Sequence, residues 1–243
     1  MPFTFSHPAA VLPLIYVRKP WFSLTGLVMG SLAPDFDYFI RMRVHSSFSH
    51  SWTGVFWFDL PLAMILASLF HLVVRDKFID SLPQLLQSRF VIFKELNWKC
   101  HLRKKSLVVP ISCLIGTATH ILWDSFTHPQ GHFVQTFSCL QQSLFISGYS
   151  IPIYKILQHA SSLLGALLII YIIGKLPVSP TKNRGINWCY WAVVVCFVLA
   201  VLTLRALMSD HVVLGNMIVS AISGGLLGLL LTPAILLLWF NGK

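Results

Sequence analysis

Long apolar stretches recur along the chain and predict helices that cross a membrane. A bilayer core requires roughly 17 to 25 residues of helix. Five stretches reach that length, and they lie near residues 51–74, 107–124, 156–174, 187–204 and 212–240. The last stretch contains Gly224, Gly225 and Gly228, which are small enough to let a neighbouring helix approach closely. The pattern predicts an all-α multipass membrane protein with about five transmembrane helices.

The first fifty residues are apolar in two shorter pieces. Residues 9–17 and 21–33 are each too short for a full crossing, and a basic pair and a proline at 18–20 separate them. Short apolar helices of this kind are typical of interfacial or re-entrant segments. We therefore expect a helical hairpin before the first transmembrane helix.

Composition excludes the soluble classes of protein. The 243 residues are 56% hydrophobic and 11% charged, whereas soluble domains carry about a quarter of their residues as Asp, Glu, Lys or Arg. This excludes a water-soluble enzyme or a nucleic-acid-binding module, so we expect the net charge of +10 to meet membrane lipid rather than nucleic acid. The five cysteines form no CxxC pair and predict neither a thiolate zinc site nor a disulfide framework.

Basic residues concentrate between the first two predicted transmembrane helices. They are Arg75, Lys77, Arg89, Lys94, Lys99, Arg103, Lys104 and Lys105. The connection between the second and third helices contains Lys155 as its only lysine or arginine. The positive-inside rule therefore places residues 75–106 and the C-terminus at Lys243 in the cytoplasm. The far ends of the first two helices then lie at the outer side.

Histidine and aspartate residues collect at that outer side, although such residues are costly in a membrane and tend to mark a site. His120 and Asp124 are four positions apart, so a helix presents both side chains on one face, about one turn apart. His50 lies at the outer end of the first helix and can meet Asp124 there. Imidazole and carboxylate together suit zinc, manganese or iron. The alternative is a simple hydrogen bond between His120 and Asp124 that fixes the histidine tautomer.

The N-terminal region offers further ligands. His7 precedes an apolar helix that it could instead cap, and Asp35 and Asp37 follow a proline and could instead form a turn. On a strand-like turn the two carboxylates point to opposite sides. We therefore favour Asp35 as the direct ligand, with Asp37 orienting it or binding a second ion. A site for two ions would be typical of hydrolases that clamp the attacking and leaving oxygens of a phosphate ester.

Four segments resemble a known bacterial membrane family. They are Met-Pro-Phe-Thr-Phe-Ser-His-Pro-Ala-Ala, Gly-Ser-Leu-Ala-Pro-Asp-Phe-Asp-Tyr-Phe, Phe-Ser-His-Ser and His-Ile-Leu-Trp-Asp-Ser-Phe-Thr-His-Pro-Gln-Gly. Along about the first 135 residues they resemble domain of unknown function 4184, which is similar to membrane-bound metal-dependent hydrolases and, more distantly, to zinc-dependent phospholipase C. The resemblance implies an α-helical metal site in the bacterial inner membrane, with the ligands His7, Asp35, His50, His120 and Asp124. It does not imply a trinuclear zinc site, because the last three predicted helices contain no His and Glu pair.

Together these observations predict a metal-dependent hydrolase that acts on a phosphodiester or a phospholipid-like ester at the outer face of the membrane. The cofactor would be a divalent metal, with zinc preferred over manganese or iron. His128 and Asp37 are the candidate catalytic residues, and His128 could serve as the general acid for a leaving alcohol. The alternatives are a non-catalytic integral membrane protein with a structural metal site or an assembly role and, more weakly, a transporter that uses Asp59. We expect residues 1–135 to contain the metal site and residues 136–243 to form three membrane helices, all within one integrated domain. The sequence does not indicate an oligomeric state.

Overall fold

A computed structural model describes residues 3–17, 21–45, 49–181, 185–208 and 213–241. The regular structure of these residues is helical except for one short β-hairpin. Two of the predictions involve residues outside the described ranges, namely the basic pair and proline at 18–20 and the C-terminal Lys243.

The elements follow one another in a simple order. They are α1 (Pro8–Val17), α2 (Leu24–Leu32), α3 (Phe36–Arg41), α4 (Val55–Ser81), α5 (Gln84–Phe90), α6 (Trp98–Lys104), α7 (Val108–Thr127), α8 (His132–Thr136), α9 (Ser138–Gln141), β1 (Ser143–Ile146), β2 (Tyr149–Pro152), α10 (Ile153–Lys175), α11 (Trp188–Leu207) and α12 (Leu214–Asn241). Short 3-10 turns at Thr4–Ser6, Ala33–Asp35 and Val91–Glu95 connect some of them, and a helical turn at Trp52–Gly54 precedes α4.

Four of these helices, α4, α10, α11 and α12, are long and apolar enough to cross a membrane. The number of candidate membrane-spanning helices becomes five if α6 and the helical segment 108–136, which meet at a bend of 92°, are counted together as one span. Helix α7 coincides with the second predicted crossing, but it buries polar side chains that lower its hydropathy, among them Thr117, His120 and Asp124. The prediction of an all-α multipass membrane protein is confirmed, with four to five long apolar helices.

The fold divides into two compact units that interleave along the chain. The first unit comprises the described residues within 1–34, 48–64 and 105–175. The second comprises those within 35–47, 65–104 and 176–243. The domain boundary near residue 135 stays a prediction.

In the first unit, the predicted N-terminal helical hairpin is present and packs against α7. Helix α1 contacts α2, and α2 lies along α7. A Cβ atom on Gly26 would come within 2.7 Å of the Val109 carbonyl oxygen, and a Cβ atom on Gly30 would overlap the backbone of Cys113. The Gly-x-x-x-Gly spacing of α2 therefore lets the two helix backbones touch.

In the second unit, α11 and α12 pack closely around the buried Tyr190. A Cβ atom on Gly224 would lie 2.8 Å from Cα of Val198, and a Cβ atom on Gly228 would lie 3.0 Å from Cα of Val194. This confirms the prediction that the small residues of the last helix let a neighbouring helix approach.

An aromatic stack anchors the basic connection within the second unit. Trp98 is buried and lies between His71 and His101, with ring centroids 4.7 and 5.8 Å away. Its indole N–H donates to the Ser68 hydroxyl at 3.2 Å. The inward face of α6 is therefore aromatic, whereas Lys99 and the residues at 103–104 are exposed on its outward face.

The β-hairpin of β1 and β2 is not among the elements predicted from the sequence. The strands pair antiparallel, with Ser143 opposite Pro152. Ser147 and Gly148 form the turn with φ values of 50° and 85°, which is the backbone sign pattern of a type I′ turn. The sequence of β1, Ser-Leu-Phe-Ile, does not alternate between polar and apolar residues, and all four residues are exposed, so no pattern indicates the strand.

Candidate metal centre

Helix α7 presents His120 and Asp124 on one buried face. The residues are one turn apart, and Nε2 of His120 lies 3.3 Å from Oδ2 of Asp124. His120 is fully buried and Asp124 nearly so. The structure therefore confirms that the two side chains share a helix face. Their separation is longer than the roughly 2.9–3.0 Å of a usual N–H···O hydrogen bond.

The packing of α2 against α7 orients the His120 ring. Nδ1 of His120 lies 2.7 Å from the carbonyl oxygen of Ser31. Because a carbonyl oxygen only accepts hydrogen bonds, Nδ1 donates, and in the neutral imidazole the lone pair is then on Nε2, toward Asp124. The hydroxyl of Thr117 donates to the carbonyl of Gly30 at 3.1 Å and holds the same pair of helices. A carbonyl on the second ring nitrogen is a usual way to orient a metal-binding histidine.

His50 reaches the same carboxylate from the segment before α4. Its Nε2 lies 3.3 Å from Oδ2 of Asp124, and its Nδ1 lies 3.0 Å from the Ser49 hydroxyl. The expected meeting of His50 and Asp124 is therefore confirmed. The backbone of His50 is left-handed, with φ of 66°, a conformation in which histidine is enriched among residues with a side chain. Ser51 then caps the following helical turn, because its hydroxyl accepts from the N–H of Gly54 at 3.0 Å.

Asp35 completes a group of four residues, which we call the metal-site cluster. It is the last residue of the 3-10 turn that continues from α2, and it is fully buried. One ligand atom from each of Asp35, His50, His120 and Asp124 lies within 4.8 Å of all the others, so the cluster could hold a metal ion. The turn is helical rather than strand-like as the sequence analysis assumed, because the chain passes from α2 through a 3-10 turn into α3.

Two further imidazoles contact the other carboxylate oxygen of Asp124. Nε2 of His7 lies 3.6 Å from Oδ1, and Nδ1 of His128 lies 3.5 Å from it. The His7 ring also stacks on the His120 ring, with centroids 3.7 Å apart. Neither residue is a member of the cluster. The roles of His7 as a ligand and of His128 as a catalytic residue therefore stay predictions.

Asp37 and Asp59 are not among the described residues whose ligand atoms converge in the cluster. Asp37 is in the first turn of α3, where its carboxylate accepts from Nε of Arg41 at 2.7 Å. Asp59 is fully buried at the end of a π-helical turn, Val55–Asp59, with which α4 begins. The catalytic role of Asp37 stays a prediction.

The separations around Asp124 match those of ligands that share an ion. Two ligands of a tetrahedral zinc, each at about 2.1 Å, are about 3.4 Å apart. Within the cluster, Nε2 of His50 and Nε2 of His120 each lie 3.3 Å from Oδ2 of Asp124. Oδ1 of Asp124 is inaccessible to solvent and accepts no hydrogen bond from any described residue. Because a buried carboxylate is costly without compensation, the donor set fits a cation.

The fold and this cluster define an all-α multipass membrane protein whose histidine and aspartate residues could hold a metal ion. The chain belongs to the family described as a domain of unknown function (DUF4184), whose sequence model matches residues 1–234. The expected family is therefore confirmed, over nearly the whole chain rather than its first part. No curated protein and no solved structure matches the chain, and these comparisons do not show the further resemblance to metal-dependent hydrolases.

Proposed function

We propose that this chain is a membrane-embedded, metal-dependent hydrolase of a phosphodiester or a phospholipid-like ester. The observation that carries the proposal is the convergence of two carboxylates and two imidazoles in one cluster. Such a mixed nitrogen and oxygen set suits zinc first, with manganese and iron as alternatives. When bound, a divalent ion lowers the pKa of a coordinated water and polarises the oxygen of an ester.

The site contains residues that would bind the ion and groups that orient these ligands by hydrogen bonds. Asp35, His50, His120 and Asp124 would bind it. The Ser31 carbonyl and the hydroxyl beside His50 occupy the second ring nitrogens, so that each Nε2 faces the site. Imidazole rings oriented in this way need little reorganisation when the ion binds, which raises affinity.

Access to the site favours catalysis over a closed structural role. The side chains of His50 and His128 are 23% and 24% exposed, so the edge of the site that they form reaches the protein surface. A catalytic metal site keeps an open coordination position, whereas a structural site is closed by protein ligands. By the positive-inside rule, we place this opening at the outer face of the bacterial inner membrane, where lipid headgroups supply phosphodiesters and esters.

The two candidate catalytic residues, His128 and Asp37, have different roles in the proposed function. In a site with one ion, His128 transfers the proton that the leaving alcohol requires, because its ring lies 3.5 Å from Asp124 and is partly exposed. Asp37 orients the turn that carries Asp35, and its negative charge is balanced by Arg41.

The test is hydrolysis by the detergent-purified protein, supplied with zinc, manganese or iron. The substrates are bis(nitrophenyl) phosphate and phosphatidylglycerol. We expect metal-dependent turnover that falls by about 100-fold or more in Asp124→Asn. The matched control is His132→Gln, since His132 is exposed near the same end of α7 and should retain full activity. A metal-loaded wild-type protein that hydrolyses neither substrate would contradict the proposal.

The full burial of Asp35 and His120 favours one second candidate, a non-catalytic membrane protein with a structural metal. The two candidates differ in whether an outside ligand reaches the ion. In protein substituted with cobalt, added phosphate or acetohydroxamate should change the visible absorption spectrum of an open site. An unchanged spectrum at saturating ligand would favour the structural role.

A further inference from the structure

The β-hairpin of β1 and β2 has two chemically different faces. Residues directly opposite each other in an antiparallel pair point to the same face of the sheet, so the pairing register assigns every side chain to a face. One face, which we call the apolar face, consists of Leu144, Ile146, Tyr149 and Ile151. The opposite face consists of Ser143, Phe145, Ser150 and Pro152. The hairpin is therefore amphipathic, with its hydroxyl groups from serine on one side only.

The apolar face is largely uncovered by the described part of the chain. Leu144, Ile146 and Tyr149 are 49%, 45% and 73% exposed. In water, a two-stranded hairpin is marginally stable at best unless its apolar face packs against a helix or further strands. Strand β2 contacts α10, which follows it directly, but this contact leaves most of the apolar face exposed. Another component must therefore cover it.

The chain continues from the hairpin directly into a membrane helix. Strand β2 ends at Pro152, and α10 begins at Ile153. Residues 125–154 contain no Asp, Glu, Lys or Arg, in contrast to the strongly basic connection at 75–105. Uncharged segments with exposed aromatic side chains beside a membrane helix are typical of the boundary between lipid and water. Lipid is thus the component that adjoins the hairpin and matches its chemistry.

The open edges of the hairpin determine how deep it can lie. A sheet of only two strands has two edges whose backbone groups face no further strand. Such edges are not tolerated against lipid in the hydrocarbon core, because nothing there satisfies their hydrogen bonds. In the headgroup region, water and lipid oxygens satisfy them. The strands therefore fit the headgroup region, with apolar side chains directed toward the acyl chains.

We propose that the hairpin lies on the membrane surface and that its apolar face binds lipid at the boundary between headgroups and acyl chains. The leaflet is the one at the Ile153 end of α10, which the positive-inside rule identifies as the outer leaflet. Ser143 and Ser150 then face water. This inference goes beyond the proposed function and does not depend on it. The lipid contact fixes the connection between α7 and α10 at the membrane surface.

The test uses full-length protein in nanodiscs of phosphatidylethanolamine and phosphatidylglycerol. The exposed cysteines are replaced by serine, whereas Cys113 is buried and stays. One nitroxide label is attached in Ile146→Cys, on the apolar face, or in Ser150→Cys, its matched control on the opposite face. Electron paramagnetic resonance with power saturation measures the collisions of each label with oxygen, which concentrates in lipid, and with a nickel chelate, which stays in water. We expect oxygen collisions to dominate at position 146 and nickel collisions at position 150.

Three results would overturn the inference. Nickel collisions that dominate at both positions would place the whole hairpin in water. Oxygen collisions that dominate at both would place it inside the bilayer. Few collisions with either reagent at position 146 would show that protein covers the apolar face, and dipolar broadening between labels would identify that protein as a second copy of the chain. If Ile146→Cys loses helicity by circular dichroism, Leu144→Cys carries the label on the same face and decides the inference.

Discussion

Replacing Gly30 with alanine should weaken metal binding although Gly30 is not a member of the metal-site cluster. The new Cβ would overlap the backbone of Cys113, with its Cα and carbonyl carbon both at 2.7 Å. A normal contact is roughly 3.5 Å or more, so α2 and α7 must separate locally by about 1 Å. The same movement would lengthen the 2.7 Å contact between the Ser31 carbonyl and Nδ1 of His120 beyond hydrogen-bond distance.

The expected magnitude has two parts. Forcing a methyl group into a filled interface costs about 1–3 kcal/mol of stability. Losing the partner that orients a metal-binding histidine typically weakens metal affinity by about 10- to 100-fold. The assay is competition with a chelator of known affinity, combined with thermal unfolding followed by circular dichroism. We expect both effects in Gly30→Ala.

Gly174→Ala is the matched control. It makes the same chemical change in a helix, at a position where an added Cβ would meet no atom within 4 Å. It should leave metal affinity unchanged and stability equal or slightly higher, because alanine favours helix by about 1 kcal/mol over glycine. Equal metal affinity of Gly30→Ala and Gly174→Ala would contradict a role for the α2–α7 contact in orienting His120.

Three further predictions concern the site, the second unit and the orientation. Asp124→Asn should abolish the thermal stabilisation that added zinc gives the wild type, and equal stabilisation of both proteins in a melting experiment would speak against the cluster. Gly228→Val should lower thermal stability, because a Cβ atom at this position would lie 3.0 Å from Cα of Val194 and force α11 and α12 apart. Metal content per folded chain should stay unchanged, and loss of metal would contradict this. In variants with a single cysteine, a membrane-impermeant thiol reagent should label the exposed Cys139 in intact cells and the exposed Cys100 only after permeabilisation. The reverse pattern would invert the orientation.

The helix-borne part of the site is predictable from the sequence because it depends on local geometry. His120 and Asp124 share a face whenever their segment is helical. Predicting that His50 meets Asp124 requires one further step. The basic residues between the first two membrane helices indicate that the opposite ends of these helices lie on the same side of the membrane. Both expectations hold in the structure.

The parts that sequence reasoning missed depend on how helices pack in three dimensions. The Ser31 carbonyl that orients His120 has no signature of its own, since every residue carries a carbonyl. The spacing of Gly26 and Gly30 was the available signal, because it marks a face where another backbone can touch. Asp35 lies in the cluster and Asp37 does not, and the role of Asp35 as a ligand stays a prediction; the assumed strand-like turn was wrong, because the chain there is helical.

The most direct test of the metal site is elemental analysis of the detergent-purified protein, with His120→Ala and Asp124→Ala measured in parallel and folding checked by circular dichroism. We expect at least one zinc, manganese or iron ion per wild-type chain, and its loss in both variants while helicity persists. A wild-type protein that is free of metal after purification without chelators would contradict it.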